Sequence, residues 1–236
     1  MVVPTYHGGV TLFVLWDVDH TLIDNAGVSK LIYASAFQSL AGRSPSAAAP
    51  TEGRTDRAIM RTYFETEGLD APPWPAVQAA LMEAGIAHRA NLARSGSVLP
   101  GVQDVLEKLA TDCRIVQSVL TGNIRPNAEL KLGAFGLDRL LELDVGAYGA
   151  DAEHRPDLVP VAVARFEGLR GELPSAVVLI GDTPRDVEAA NETGASILAV
   201  ATGVHKAEDL ESAGADIVFD NLADVDAVLT VIGAFV

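Results

Sequence analysis

Asp17 and Asp19 stand two residues apart where the apolar run TLFVLW gives way to the polar segment DVDHTL. In extended backbone, side chains two apart point the same way, so these carboxylates converge. Three more polar groups follow apolar runs: Thr121, Gly122 and Asn123; the stretch DAEHRPD, with Arg155; and Gly181, Asp182, Thr183 and Asp186. In an open parallel sheet, ligands bind beyond the carboxyl ends of the strands. The four segments would there gather four carboxylates, a hydroxyl, an amide and a cation at one edge. Carboxylates that close repel one another as anions. A hard divalent cation relieves the repulsion, and Mg²⁺ takes few carboxylates and keeps room for a substrate phosphate. A carboxylate nucleophile beside a metal and a second carboxylate is the arrangement of aspartyl-phosphate chemistry.

Other candidates are weaker. His7, His20, His88, His154 and His205 show no ligand spacing, which argues against zinc. His20 is expected to face away from Asp17, and Trp16 to serve packing. The single cysteine, Cys113, excludes an internal disulfide framework and a multi-cysteine zinc site, and is expected to be a small buried hydrophobe. Seventeen Lys and Arg against thirty-two Asp and Glu leave a net charge of −15, which argues against nucleic acid and anionic membrane as partners. At 49% hydrophobic residues the chain can build a sizeable core. The first ten residues, MVVPTYHGGV, lack Lys and Arg, so no targeting signal is expected; with one cysteine, a reduced compartment is expected, most simply the cytoplasm.

The elements that would position these groups alternate along the chain. Buried strands are expected at residues 11–16, 114–120, 141–145, 176–180, 196–200 and 217–219, and helices at 101–110, 127–134, 158–169, up to 192, 207–213 and 222–232. Strand and helix alternating from residue 100 onward predict an α/β fold with a parallel sheet. The first strand is separated from the others by residues that read as helices only: one from Val28 towards Gly42, one capped by Thr55 or Asp56 and running to Phe64, and one over 76–93 ending near Gly96, with a Pro-containing loop at 43–53 and a break at APPWP.

The ordered set DVDHTL, TGN and GDTPRDVEAA resembles the haloacid dehalogenase (HAD) superfamily on its phosphatase side. PGVQDVLEKLA and KLGAFGLD are similar to phosphoglycolate-phosphatase-like members, and EGRTDRAI to a segment of their caps. The resemblance implies a Rossmann-like parallel-sheet core (HAD fold) over 1–25 and 98–236, with an inserted α-helical cap at 26–97. It implies Asp17 as the nucleophile that attacks phosphorus. Asp19 becomes the acid that protonates the leaving oxygen and then the base that activates water. It implies Mg²⁺ held by the Asp17 carboxylate, the Asp19 main-chain carbonyl and Asp182, with Asp186 supporting through water. Thr121, with the neighbouring backbone of Gly122 and Asn123, would bind the phosphoryl group. Asp19 argues against the dehalogenase branch.

The family expects a Lys before the fourth motif, and no Lys lies between 132 and 205. Arg155 is the candidate replacement, keeping the charge and adding a two-donor grip; Lys131, on the helix after Thr121, is the competing cation. Arg54 in the cap could reach a second anionic group of the substrate. The implied activity is Mg²⁺-dependent hydrolysis of a small phosphorylated metabolite. A phosphomutase, or a catalytically weak binding or regulatory homologue, is the alternative.

Overall fold

The computed structural model describes residues 11–235. His7 and the expectation of no targeting signal lie outside the described residues. The central strand β1 (Leu12–Trp16) is buried along its whole length, which is why its residues are apolar without alternation. β4 (Ile115–Thr121) pairs with it on one side and β6 (Ala176–Gly181) on the other, both parallel. The two-residue β5 (Ala147–Tyr148) extends the sheet beyond β4; β7 (Ser196–Val200) and β8 (Val218–Phe219) extend it beyond β6. All six strands run parallel, so every strand delivers its carboxyl end to the same edge.

Helices cover both faces. Leu12, Val14 and Trp16 pack with α4 (Val102–Leu109), α5 (Arg125–Gly133) and α9 (Val225–Gly233). Phe13 and Leu15 pack with α6 (Leu158–Arg170), α7 (Pro184–Thr193) and α8 (Ala207–Ser212). The period-2 side-chain alternation of β1 thus feeds two separate cores. Among the described residues no helix is long and apolar enough to cross a membrane.

Between β1 and β4 lie α1 (Val28–Ala41), α2 (Asp56–Thr66) and α3 (Trp74–Ser95), which bury their own cluster including Phe37, Tyr63, Phe64 and Leu81. Thr55 caps α2 by accepting from the Ala58 N–H, and Gly42 ends α1 in the left-handed region. The break expected at APPWP separates α2 from α3 as far as Pro73, while Trp74 and Pro75 already form the first turn of α3, where proline's missing N–H costs nothing. The way in and the way out of this helical insert are joined by two short antiparallel strands absent from the sequence reading, β2 (Ile23–Asp24) and β3 (Ser97–Val98).

Two local expectations are corrected. Residues 141–145 are not a strand: Leu143–Val145 is a 3-10 turn, and the strand is Ala147–Tyr148. The alternation of Leu141, Leu143 and Val145 with Glu142 and Asp144 mimics a strand, but the chain touches β4 at Glu142, whose N–H donates to the Gln117 carbonyl, coils through the 3-10 turn, and closes onto β4 again at Gly146, where a Cβ would lie 2.8 Å from the Ser118 hydroxyl. Cys113 is exposed rather than buried, because it sits in the tight turn between α4 and β4, too short to fold a side chain under the sheet.

Candidate active site

The loop after β1 is wound tightly. The N–H groups of Leu22 and Ile23 return to the carbonyl of Val18, and His20 adopts φ 63° to make the reversal. Thr21 donates to Asp182 Oδ1 at 3.2 Å, tying this loop to the end of β6. Asp17, at the strand's end, is 7% exposed, and Asp182 and Asp186 are each 2% exposed. One carboxylate oxygen from each of these three residues lies within 4.8 Å of the others. Asp17, Asp19, Thr121, Gly122, Asn123, Arg155, Asp182 and Arg54 line one cavity between the sheet edge and the helical insert. His20 lines it as well.

Arg155 enters this cluster from the turn before α6. Its Nη2 is 3.1 Å from Asp17 Oδ1 and 2.5 Å from Asp186 Oδ1, and the side chain is 3% exposed. Its guanidinium also donates to the carbonyls of Leu120 and Gly53. Lys131 does not share this place. It reaches the neighbouring carboxylate, with Nζ 2.6 Å from Asp19 Oδ2. The two cations that compete in the sequence are therefore divided, one to each aspartate of DVDHTL.

Electrostatics separate the two carboxylates accordingly. Burial pushes Asp17 up to about 6, against the lowering influence of Arg155 and with Asp186 and Asp19 adding to the rise. Burial would also raise Asp19, but Lys131 and the hydrogen bonds of Asn123 and Asn25 hold it at about 2. Burial and the charges of Asp17 and Asp186 push Asp182 well above the carboxylate range. A set of buried oxygens short of positive charge suits a hard divalent cation, so Asp17 and Asp182 fit the role of direct ligands. Asp186 spends Oδ1 on Arg155 and Oδ2 on the Thr183 N–H and hydroxyl, which close the first turn of α7.

The loop after β4 is ordered by Asn123. Its N–H and Nδ2 both donate to Thr121 Oγ1, at 3.3 and 2.8 Å; Nδ2 also donates to Asp19, and Oδ1 accepts from Lys131. Thr121 Oγ1 thus accepts twice, and its own proton has no acceptor among the described residues. The Asn123 side chain, in contrast, has its hydrogen-bonding groups engaged inside the protein.

The insert grips this loop through Asp56, which the sequence offered only as a helix cap, and through Tyr33, which it did not single out. The Asp56 N–H donates to the Gly122 carbonyl at 2.7 Å, and Asp56 Oδ2 accepts from the Ile124 N–H at 2.8 Å, so Asp56 brackets Asn123. Tyr33 donates to Asp56 Oδ1 at 2.7 Å. Gly122 must be glycine, since a Cβ there would lie 2.1 Å from the Arg54 carbonyl. Arg54 itself lines the cavity half-buried. A sequence signal for Lys131 did exist: it interrupts the apolar helical stripe of Ile124, Ala128, Leu132 and Phe135.

Residues 14–200 match the family model described as haloacid dehalogenase-like hydrolase. The chain belongs to that family. Over 165 residues it is 28% identical to phosphoglycolate phosphatase of Synechococcus elongatus, covering 70% of this chain and 73% of that one. Its fold is shared with a hydrolase from Pseudomonas syringae (TM-score 0.69, 21% identity, 93% and 98% of the two chains). It is shared too with CbbY from Rhodobacter sphaeroides, solved in complex with phosphate (TM-score 0.69, 19% identity, 92% and 96%). Within the family the chain is similar to enzymes of the phosphatase type.

Proposed function

We propose that this chain is a Mg²⁺-dependent phosphomonoesterase of a small phosphorylated metabolite, working through an aspartyl-phosphate on Asp17. The observation that supports it most is the pairing of a buried Asp17 with a buried Arg155 at 3.1 Å, opposite a Thr121 hydroxyl whose proton is unspent, on one cavity. Phosphoryl transfer asks for positioning and charge neutralisation more than for covalent ingenuity. Asp17 attacks phosphorus. Arg155 orients the nucleophile and draws the anionic substrate in, and Thr121 with the backbone of Gly122 and Asn123 binds the phosphoryl oxygens. Asp19 protonates the leaving oxygen and then deprotonates the water that hydrolyses the aspartyl-phosphate. Mg²⁺, held by Asp17, Asp182 and the Asp19 main-chain carbonyl with Asp186 in support, would neutralise the charge shared by nucleophile and phosphate.

The insert at 26–97 acts in this reading as a cap over a core of 1–25 and 98–236, excluding bulk water and setting specificity. Arg54 is its candidate contact for a second anionic group on the substrate. Phosphoglycolate, named by the relative's activity, is the first small phosphorylated acid to try. The test is phosphate release from a panel of metabolite monophosphates with Mg²⁺ and with chelator. Release from at least one ester, lost on chelation and in Asp17→Asn, is expected. A panel left intact, or hydrolysis unaffected in Asp17→Asn, overturns the proposal.

A further inference from the structure

Two peptide planes of the loop after β4 are fixed at both ends, and each has one end in the insert. A trans peptide points its carbonyl and its N–H in opposite directions, so holding one sets the other. In the Gly122–Asn123 peptide the carbonyl accepts from the Asp56 N–H at 2.7 Å, and the N–H donates to Thr121 Oγ1 at 3.3 Å. In the Asn123–Ile124 peptide the N–H donates to Asp56 Oδ2 at 2.8 Å, and the carbonyl accepts from the Gly149 N–H at 2.8 Å. Among the described residues, Asp56 alone bonds to both planes. It is itself held firmly. It is 1% exposed, it opens α2 directly after the capping Thr55, and Tyr33 of α1 donates to its Oδ1 at 2.7 Å. The Thr55 hydroxyl donates across to the Glu153 carbonyl at 2.8 Å, and the Ile124 side chain is buried in the insert's own apolar cluster with Ile59, Met60 and Phe64. Two donors of the loop stay unspent: the Gly122 N–H and the Thr121 hydroxyl proton have no acceptor among the described residues, and both residues line the catalytic cavity.

We propose that Asp56 is a positioning residue for the phosphoryl-binding loop, so that a side chain of the insert completes the core's grip on the transferred phosphate. The proposal rests on the phosphomonoesterase reading. It divides the labour within the insert: Arg54 meets the far end of the substrate, and Asp56, two residues on, fixes the donors at the phosphorus end. A hydroxyl has two lone pairs and one proton. Asn123 fills both acceptor places of Thr121 Oγ1, through its N–H and through Nδ2 at 2.8 Å, so only the proton is left to offer to a phosphoryl oxygen. Without Asp56 Oδ2 the buried Ile124 N–H has lost its acceptor, and the Asn123–Ile124 plane turns to find another. Asn123 turns with it, and the Thr121 hydroxyl loses the two donors that commit its proton to the substrate.

The phosphoryl group is common to every ester, and that supplies the test. Asp56→Ala should lower kcat/KM on 4-nitrophenyl phosphate and on the best ester of the metabolite panel by the same factor. That factor should be on the order of ten- to a hundredfold, the scale of a misplacement of about 1 Å at a reacting site. The inhibition constant of inorganic phosphate, which has no leaving group, should rise in parallel. Asp56→Asn should restore most of both, because its amide oxygen can accept from Ile124 while its NH2 meets the Tyr33 oxygen. An unequal fall on the two esters would put Asp56 on the leaving-group side and overturns the role. So does a wild-type inhibition constant for phosphate in Asp56→Ala, or an Asp56→Asn protein as impaired as Asp56→Ala. If Asp56→Ala does not fold, Asp56→Ser, whose single oxygen cannot stand at both carboxylate positions, is read by the same criteria. Failure of the wild type on both esters instead overturns the phosphomonoesterase reading beneath it.

Discussion

Arg155→Ala perturbs the site where its charge balance is tightest. The guanidinium, 3% exposed, bridges Asp17 and Asp186, whose side chains are 8% and 3% exposed, and also satisfies the carbonyls of Leu120 and Gly53. Its loss has two consequences. An incoming phosphate loses a charge-assisted contact worth roughly 1.5–3 kcal/mol, which is about ten- to a hundredfold in kcat/KM. Asp17, already raised to about 6 by burial, also loses the neighbour that holds it down, so a larger fraction of the nucleophile is protonated near neutral pH. The acidic limb of the activity–pH profile should therefore move upward in the variant, and part of the lost activity should return as pH is raised. Arg155→Lys should lie between the two, since one ammonium restores the charge but cannot span both carboxylates as the fork does. Stability must be followed in parallel by urea denaturation, because removing one partner of a buried ion pair costs about 3–5 kcal/mol. The assay is steady-state phosphate release from the best ester across pH on folded protein. Wild-type kcat/KM in folded Arg155→Ala, together with an inactive Lys131→Ala, would show that the catalytic cation has been placed on the wrong residue.

Three further outcomes are expected. Asp17→Asn should lose several orders of magnitude in turnover with an unchanged circular dichroism spectrum, since it removes a covalent nucleophile; near-normal activity would refute the mechanism. Exhaustive chelation should stop turnover, with Mg²⁺ restoring it and Ca²⁺ restoring it poorly; Asp182→Asn should raise the Mg²⁺ needed for half-maximal activity more than Asp186→Asn does. Asp56, raised from 3.8 to about 6 chiefly by burial, favours the protonated form in the folded state. Its contribution is present in full below pH 4 and is lost as pH rises through about 6, a difference of about 3 kcal/mol at 1.36 kcal/mol per pKa unit. Urea denaturation at pH 4 and pH 7 should show a loss smaller by about that amount in Asp56→Asn than in the wild type, the remainder in both coming from the other buried carboxyls Asp17 and Asp182; parallel behaviour of the two proteins would refute it.

Much of this chain is decided locally. β1, β6 and β7 are largely apolar runs buried on both faces, and β4 is one broken only by Gln117 and Ser118, so their identity is written in short continuous segments, and the polar groups that follow them must emerge at one sheet edge once the strands run parallel. Asp17, Thr121, Asp182 and Asp186 were legible for that reason, and so were the helices of the insert with their capping Thr55 and terminating Gly42. Residues 141–145 were misread because alternation is also what a turn shows when it packs its even face outward, and only the contacts of Glu142 and Gly146 with β4 decide between them. Cys113 was misplaced because burial depends on the path of the short turn between α4 and β4, not on the side chain. The division of Arg155 to Asp17 and Lys131 to Asp19 belongs to the tertiary structure alone. So does the bracketing of Asn123 by Asp56, 67 positions away in sequence (123 − 56 = 67). Hydrogen bonds and ion pairs act over about 3 Å, and residues far apart in the chain reach that distance only after the sheet, α5 and the insert have packed.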